Sequence, residues 1–254
     1  MKILVSISQY GIDQENYLKE IISEFKHYKN HTVDITVHGT IPLNIPEIEF
    51  IRHDPCIRKN LVFKHRKEFI EKLNDYDLFI YTENDMLIKE DAIDTYLKYD
   101  SSLPMDYCLG FIRFEHRAQD MNLYLPDMNE YWGLAVSEKK LTINGNDYFG
   151  LFNIHQGCWM LTREKLKHIC NTPHFIYEND SLEHGASSIF NEMGWNFKLG
   201  GSIKKIYTRH KEDLSKCLIH HLSDKYCNIN SPEWQCQPGP LTFNSLIDIL
   251  DIRK

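Results

Sequence analysis

Residues 2–8 are a short apolar run rich in Ile and Val, the pattern of a strand buried on both faces. Leu18, Ile21, Ile22 and Phe25 then recur at helical spacing until Asn30 and His31 interrupt them, which predicts a helix after the first loop. A second strand is predicted over residues 33–38, ending at Gly39, and a shorter third over 48–52, leading into His53-Asp54-Pro55. Helical spacing resumes with Val62, His65 or Arg66, Phe69 and Leu73. Residues 77–82 form the next apolar strand, which stops abruptly at Glu83-Asn84-Asp85, and another helix is predicted over 89–99. This β-α-β-β-α-β-α order predicts an α/β fold with a mostly parallel central sheet covered by helices. Ligands of such sheets gather beyond the carboxyl ends of the strands, which directs attention to residues 6–10 and 83–85.

The second half changes texture. Residues 107–115 read as a strand, while 117–147 are aromatic, polar and turn-rich, with Asn144-Gly145 as a hairpin signal. Irregular stretches of this length are usually functional or mobile. A strand is predicted over 159–161, then a helix for which the Thr162 hydroxyl is the expected cap. A further helix is predicted over 182–193, ending at Gly194. Short strands over 203–207 and 217–221 and a last amphipathic helix over 241–250 complete the pattern. Without an internal repeat or a linker, the expectation is one domain over 1–254, divided functionally near residue 100.

Composition narrows the class. With 42% hydrophobic and 26% charged residues, and only 12 Gly and 9 Pro among 254 residues, the chain is neither collagenous, low-complexity nor disordered. Lys and Arg number 29 against 36 Asp and Glu, a formal charge of -7, which argues against a nucleic-acid binder that relies on phosphate neutralisation. There is no apolar run of about 18 residues, and the opening apolar stretch is too short for a signal peptide, so the expectation is a soluble, cytoplasmic protein without a transmembrane segment. The seven cysteines are odd in number and include no CxxC pair, as expected for reduced thiols. Cys217, His220, His221 and Cys227 lack the paired close spacings of a structural zinc site.

The most informative segment is Leu78-Phe79-Ile80-Tyr81-Thr82-Glu83-Asn84-Asp85-Met86-Leu87-Ile88. Two carboxylates at i and i+2 interrupt an apolar run, where uncompensated charge is costly to bury. A divalent cation carried in by a diphosphate would compensate them, because Mg²⁺ and Mn²⁺ prefer oxygen ligands and take one or two carboxylates plus phosphate oxygens. An ordinary strand-to-helix turn, with Asp85 capping and Glu83 exposed, is the other reading.

The segment resembles the DxD-type motif of glycosyltransferases with the GT-A fold, in particular the branch in which a hydrophobic strand ends in a Glu-Asp-Asp-like triplet. Here the triplet is Glu83-Asn84-Asp85, so Asp85 alone keeps the ligand of the last position. The opening strand, the Lys64-His65-Arg66 helix, Gly157-Cys158-Trp159-Met160-Leu161-Thr162, Glu183 and Ile219-His220-His221-Leu222 follow the same order, over roughly residues 1–230. The resemblance implies a single GT-A-like domain, with residues 1–100 as the nucleotide-sugar-binding half and 101–254 as the acceptor-binding half and tail. It places Ser6, Ser8 and Tyr10 against the nucleoside, and Arg52, His53 and Lys64 or His65 near the base, ribose or diphosphate. Glu83 and Asn84 would border the donor, and Asp85 with His220 or His221 would hold Mn²⁺ or Mg²⁺. Strand neighbours point to opposite faces, so at most one of the two histidines faces the site.

A glycosyl acceptor hydroxyl loses its proton as the new bond forms, and a carboxylate within hydrogen-bond reach is the usual base for inversion. Glu183 and Asp180, in the stretch 177–187, are the candidates, with a helix cap and capping box as the alternative use of the same residues. The aromatics between residues 113 and 152 suit the apolar faces of sugars, which nominates Trp132 and Trp159, while Arg113, Glu115, Asp127 and Asn129 are placed to bind hydroxyls. The implied activity is metal-dependent transfer of a sugar from a nucleotide diphosphate donor, a UDP-sugar by preference, to a saccharide hydroxyl. Its rivals are a metal-dependent nucleotide-sugar or phosphoester hydrolase and a non-catalytic saccharide-binding module.

Overall fold

A computed structural model describes residues 1–9, 11–43, 45–117, 120–129, 140–151, 157–176, 188–191, 202–228, 230–231 and 239–252. The apolar runs of the first half pair as parallel strands: β1 (Lys2–Gln9) lies between β2 (Thr32–Gly39) and β4 (Leu78–Glu83), and β3 (Glu49–Arg52) extends the β2 edge. On the β4 edge the pairing turns antiparallel with β11 (Cys158–Thr162), giving the order β11-β4-β1-β2-β3. Helix α1 (Glu15–Lys26) buries Leu18, Ile21, Ile22 and Phe25, the residues whose spacing predicts it. Between β3 and β4 the chain makes a 3-10 segment, Pro55–Phe63, opened by the Asp54 carboxylate accepting the Cys56 N–H at 2.7 Å, and then α2 (His65–Glu71). The helical spacing that starts at Val62 therefore belongs to two elements.

The expected parallel sheet accounts for the first half alone. The single strand expected over 107–115 breaks into β6 (Tyr107–Leu109) and β7 (Ile112–His116), which join different sheets. The break lies at Gly110, where an added Cβ would meet the Tyr207 ring at 2.5 Å and Lys205 Cγ at 2.6 Å. Beyond it β13 (Ile203–Thr208) pairs in parallel with β6 and with β12 (Phe190–Asn191), and antiparallel with β10 (Asn146–Phe149). Phe190 and Asn191 thus lie in a strand, and Ser188 and Ile189 in the turn before it, where a helix over 182–193 is expected; residues 182–187 and 192–193 lie outside the described residues. β9 (Leu141–Ile143) turns into β10 through Asn144 and Gly145, at φ 49° and 79°, the left-handed pair that an Asn-Gly hairpin uses. A third sheet runs β15 (Pro240–Thr242), β8 (Leu123–Asn129), β7, β14 (Leu218–His221) and β5 (Met86–Leu87). The final helix covers Phe243–Ile252.

Two buried details tie the layers together. Helix α3 (Glu90–Asp100) ends in Asp100, which pairs with the buried Lys165 ammonium of α4 (Arg163–Ile169). The Thr162 hydroxyl also donates to Asp100, at 3.1 Å, and is not used to cap α4 as the sequence predicts. Trp159, expected to touch an acceptor, is 1% exposed and sits among the rings of His65, Phe69, Tyr81 and Phe175. Its position on β11, beside Tyr81 of β4, makes it core. Among the described residues no helix is long and apolar enough to cross a membrane. Their six cysteines are free, with Cys56 exposed and the others buried.

Trp159→Ala should lower stability by about 3–5 kcal/mol, the cost of truncating a large aromatic in a packed core. Denaturant titration checks it, and a loss under about 1 kcal/mol would place Trp159 outside the core.

Candidate active site

Register brings the expected residues to one edge of the first sheet. Ser8 of β1 pairs with His38 of β2 on one side and Glu83 of β4 on the other, and Ser6, one pleat lower, pairs with Thr36 and Tyr81. Side chains two apart share a face, so this face carries Ser6, Thr36 and Tyr81 below and Ser8, His38 and Glu83 at the rim. Helix α2 covers the lower row. Its His65 is buried, with its ring 4.1 Å from that of Tyr81, and burial, then the Arg66 charge, depress its pKa. His65 and Ser6 therefore stand beneath the rim, out of reach of a ligand, whereas Arg52 is exposed at the end of β3 and Lys64 and His53 are partly exposed. Tyr10 lies outside the described residues.

The acidic turn is clamped from several directions. The Leu222 N–H donates to the Asp85 carbonyl at 2.8 Å, in line with the antiparallel pairing of β5 with β14. The Glu83 N–H donates to the Gly157 carbonyl at 2.9 Å. Gly157 has φ +63°, and a Cβ there would stand 3.3 Å from Glu83 Oε2 and 3.2 Å from Met86 Cγ, so the glycine supplies both the backbone turn and the room for the carboxylate. Asn84 is buried and donates to Gln9 Oε1 at 2.8 Å, and Gln14 Nε2 donates to Asp85 Oδ2 at 3.3 Å. Asn84 thus locks the loop after β1 to the turn.

His221 meets this turn from 136 positions away in the chain, with its Nε2 3.1 Å from Asp85 Oδ2. Its Nδ1 lies 2.5 Å from Glu115 Oε1, and the Ser223 hydroxyl is 2.9 Å from Nε2. The other oxygen of Glu115 accepts the Cys227 N–H at 2.7 Å. His220 points to the opposite face, beside the Phe114 ring at 4.8 Å and bonded to Asp224 at 3.1 Å. Alternation along β14 thus separates the two, and His221 is the one at the acidic turn.

Electrostatics follow from these contacts. Burial disfavours charge on His221, but its bonds to Asp85 and Glu115 outweigh this and raise its pKa. For Asp85 burial pushes upward, and the His221 bond wins and holds the carboxyl below its usual range. Glu83 has no such hydrogen-bond partner among the described residues; burial first, and then the Asp85 charge, push it up to about 8. Arg113, expected near an acceptor, is buried and makes a two-pronged pair with Asp127 at 3.0 and 2.6 Å. Glu115, expected to bind hydroxyls, is fully buried as the partner of His221. Residue-type patterns do not signal the parts played by Gln14, Glu115, Ser223 and Tyr226, whose ring lies 5.5 Å from that of His221.

Asp85 and the His221 imidazole, 3.1 Å apart, offer an oxygen and a nitrogen donor of the kinds Mn²⁺ or Mg²⁺ accepts, and among the described residues no group of three or more His, Cys, Asp or Glu side chains is placed to hold a metal ion. Glu83 is pushed up to about 8, the nearby charges of Arg113, His221 and Lys225 offsetting its burial only in part. The base candidates Glu183 and Asp180, and the expected acceptor contact Trp132, lie outside the described residues. No protein-family model and no curated protein sequence matches the chain.

A second carboxylate on this face sets a pH dependence. Burial pushes Glu68 up, but hydrogen bonds from His38, Thr36 and Lys72 outweigh it and hold the carboxyl at about 2. A depressed carboxyl contributes stability that is full above the unfolded value and is lost as pH falls through the folded one. Wild type should therefore lose on the order of 3 kcal/mol from this group between pH 4.5 and 2. Glu68→Gln should be less stable at pH 6 and show a flatter profile over that window, read by denaturant midpoints; identical profiles would remove Glu68 as a source of acid sensitivity.

Proposed function

We propose that the chain is a metal-dependent, nucleotide-sugar-dependent glycosyltransferase of GT-A type, acting on a UDP-sugar and a saccharide hydroxyl with inversion. The observation that carries this reading is the meeting of Asp85 and His221, 3.1 Å apart, beyond the carboxyl end of a parallel strand. It is supported by the β3-β2-β1-β4 order with one antiparallel strand on the β4 edge, and by the acidic turn's second pairing to β14.

In this reading Ser8 and His53 border the nucleoside, and Asp85 and His221 would hold Mn²⁺ or Mg²⁺, with Glu83 beside them. The ion would offset the charge that builds on the departing diphosphate. Glu115 fixes the ring plane of His221 from behind, in the manner of a carboxylate partner to a ligating imidazole. Gln9, Asn84 and Gln14 hold the turn to the β1 loop, so the nucleoside and diphosphate ends are positioned as one unit. Glu183, or failing it Asp180, takes the proton from the acceptor hydroxyl.

Thermal shift with a panel of nucleoside diphosphates, with and without Mn²⁺, tests the donor. UDP with Mn²⁺ should stabilise the wild type by about 2.7 kcal/mol at a hundred times Kd, and Asp85→Ala should weaken binding at least about tenfold. UDP affinity of the wild type that is the same in Mn²⁺ and in chelator would remove the metal. Rapid cleavage of a UDP-sugar without acceptor would favour the hydrolase, and no response to any nucleotide would favour the saccharide-binding module.

Glu183→Gln tests the base. Turnover should fall about 100- to 10,000-fold with donor binding intact, whereas a side chain that merely closes a capping box would cost at most about 1 kcal/mol of stability and leave turnover nearly unchanged. Near-normal turnover in Glu183→Gln would shift the role to Asp180, and near-normal turnover in Asp180→Asn as well would exclude an inverting carboxylate.

A further inference from the structure

The carboxyl rim of the first sheet carries a second feature, apart from the acidic turn. Register sets Gln9, Gly39 and Arg52, the last residues of β1, β2 and β3, in one row. Two exposed isoleucines follow this row: Ile12, 57% exposed, past β1, and Ile41, 40% exposed, past β2. The His53 N–H donates to the Gly39 carbonyl at 2.8 Å, so the chain leaves β3 beside the segment that carries Ile41. From Arg52 to Lys67 it then carries six Lys or Arg against one Asp, whereas the rest of the chain carries 23 against 35.

Arg66 is turned into the core, where it donates to the His174 and Phe175 carbonyls at 3.1 and 3.0 Å. Arg52 and Lys59 are exposed and pair with no carboxylate among the described residues. Helix α2 runs back from the rim, since Lys72, just past its end, reaches Glu49 at the start of β3, and Lys67 lies in its rim-side turn. Lys67 is 84% exposed, and its 3.7 Å contact with the exposed Glu71 is worth little in water. The flanking acids are already matched: Glu47 holds Lys26 and Glu49 holds Lys72, each at 3.0 Å. The Asp54 carboxylate accepts the Cys56 N–H, leaving the exposed Asp13, beside Ile12, to oppose the basic side chains.

The acidic excess lies at the other end of the same strands. Glu90 accepts the N–H groups of Lys29 and Asn30 at 3.0 and 2.7 Å, and Asp94 lies 2.9 Å from His31, just before β2 begins at Thr32. The length of β2 separates the two ends by more than about 20 Å, against a screening length of about 8 Å at physiological salt. A surface that approaches the rim therefore meets positive charge, in spite of the negative total.

We propose that this rim docks on an anionic lipid bilayer, with Ile12 and Ile41 entering the headgroup region and Arg52, Lys59 and Lys67 meeting lipid phosphates. Basic residues beside exposed aliphatic ones are the pattern of a membrane-surface contact. A soluble polyanion, whether nucleic acid or acidic polysaccharide, offers the cations the same charge but gives the isoleucines nothing to enter. Each Lys or Arg near an anionic leaflet is worth about fivefold in affinity, so the association is weak, reversible and salt-sensitive. The proposal involves neither nucleotide nor metal, and it stands or falls apart from the glycosyltransferase reading.

Sedimentation of the full chain with vesicles of phosphatidylcholine, alone or mixed equally with phosphatidylglycerol, tests it without any nucleotide. The wild type should sediment with the mixed vesicles and not with the neutral ones, and binding should fall as salt is raised from about 0.05 to about 0.5 M. Lys59→Glu, which removes one attraction and adds one repulsion, should weaken binding about 25-fold, and adding Lys67→Glu should abolish it. Ile12→Ser combined with Ile41→Ser should weaken binding at least about fivefold and leave the salt dependence in place. All four side chains are exposed, so melting temperatures should match the wild type and report that each variant is folded. Equal sedimentation with neutral and anionic vesicles, no sedimentation with either, or undiminished binding in the charge or the isoleucine variants would each overturn the proposal. Retention of the wild type by soluble heparin, with no binding to anionic vesicles, would overturn the lipid assignment in favour of a soluble polyanion.

Discussion

The second half of the site depends on one buried imidazole. His221 has a carboxylate on each ring nitrogen, Asp85 from the turn after β4 and Glu115 from β7. It therefore joins the edge of the parallel sheet to the sheet built by β7 and β14. Removing one member of such a set leaves charge buried without a partner, typically at a cost of about 3–5 kcal/mol. The cost makes the arrangement all-or-none: Glu115 reaches His221 with one oxygen and the Cys227 N–H with the other, so ring orientation and the path of the chain after β14 are set together.

On the first sheet a second carboxylate does comparable work with different chemistry. Glu68 is surrounded by donors and stays ionised, and its partner His38 is bonded in turn to His53. Glu83 is the opposite case: enclosed, and with no side-chain hydrogen bond to its carboxylate among the described residues, it is pushed up to about 8 despite the charges of Arg113, His221 and Lys225 nearby. The same burial gives opposite outcomes because hydrogen-bond donors, not depth, decide which protonation state is favoured.

Much of the first half was legible in the sequence, because continuous apolar runs and helical spacing report elements buried by their neighbours in sequence order. β1, β2, β4, α1 and α3 follow from that pattern, and Asn144-Gly145 gives its hairpin. The second half was less legible for a physical reason: β6 and β7 read as one strand, and only the close approach of Tyr207 and Lys205 to Gly110 divides them. Phe190 looked helical, yet its partner Ile203 lies beyond the reach of local pattern. At the site, strand alternation separated His220 from His221 in advance, but it could not say which face met Asp85. Trp159 was nominated by its residue type and His65 by the family resemblance, and burial removes both from contact with a ligand.

The charge balance around the acidic turn leads one step further. Three carboxylates, Glu83, Asp85 and Glu115, gather about a single imidazole, while the nearby guanidinium of Arg113 is committed to Asp127 through both prongs. Asp85 is held ionised by His221, and its charge is one of the two causes that keep Glu83 protonated. On the glycosyltransferase proposal, a cation that arrives with its ligand would relieve the repulsion between Glu83 and Asp85 while its own charge is offset by phosphate oxygens. A permanently bound cation on Asp85 and His221 would lack those oxygens and be completed by water. The proposal therefore carries ordered binding with it, in which nucleotide and metal enter together and the acceptor follows.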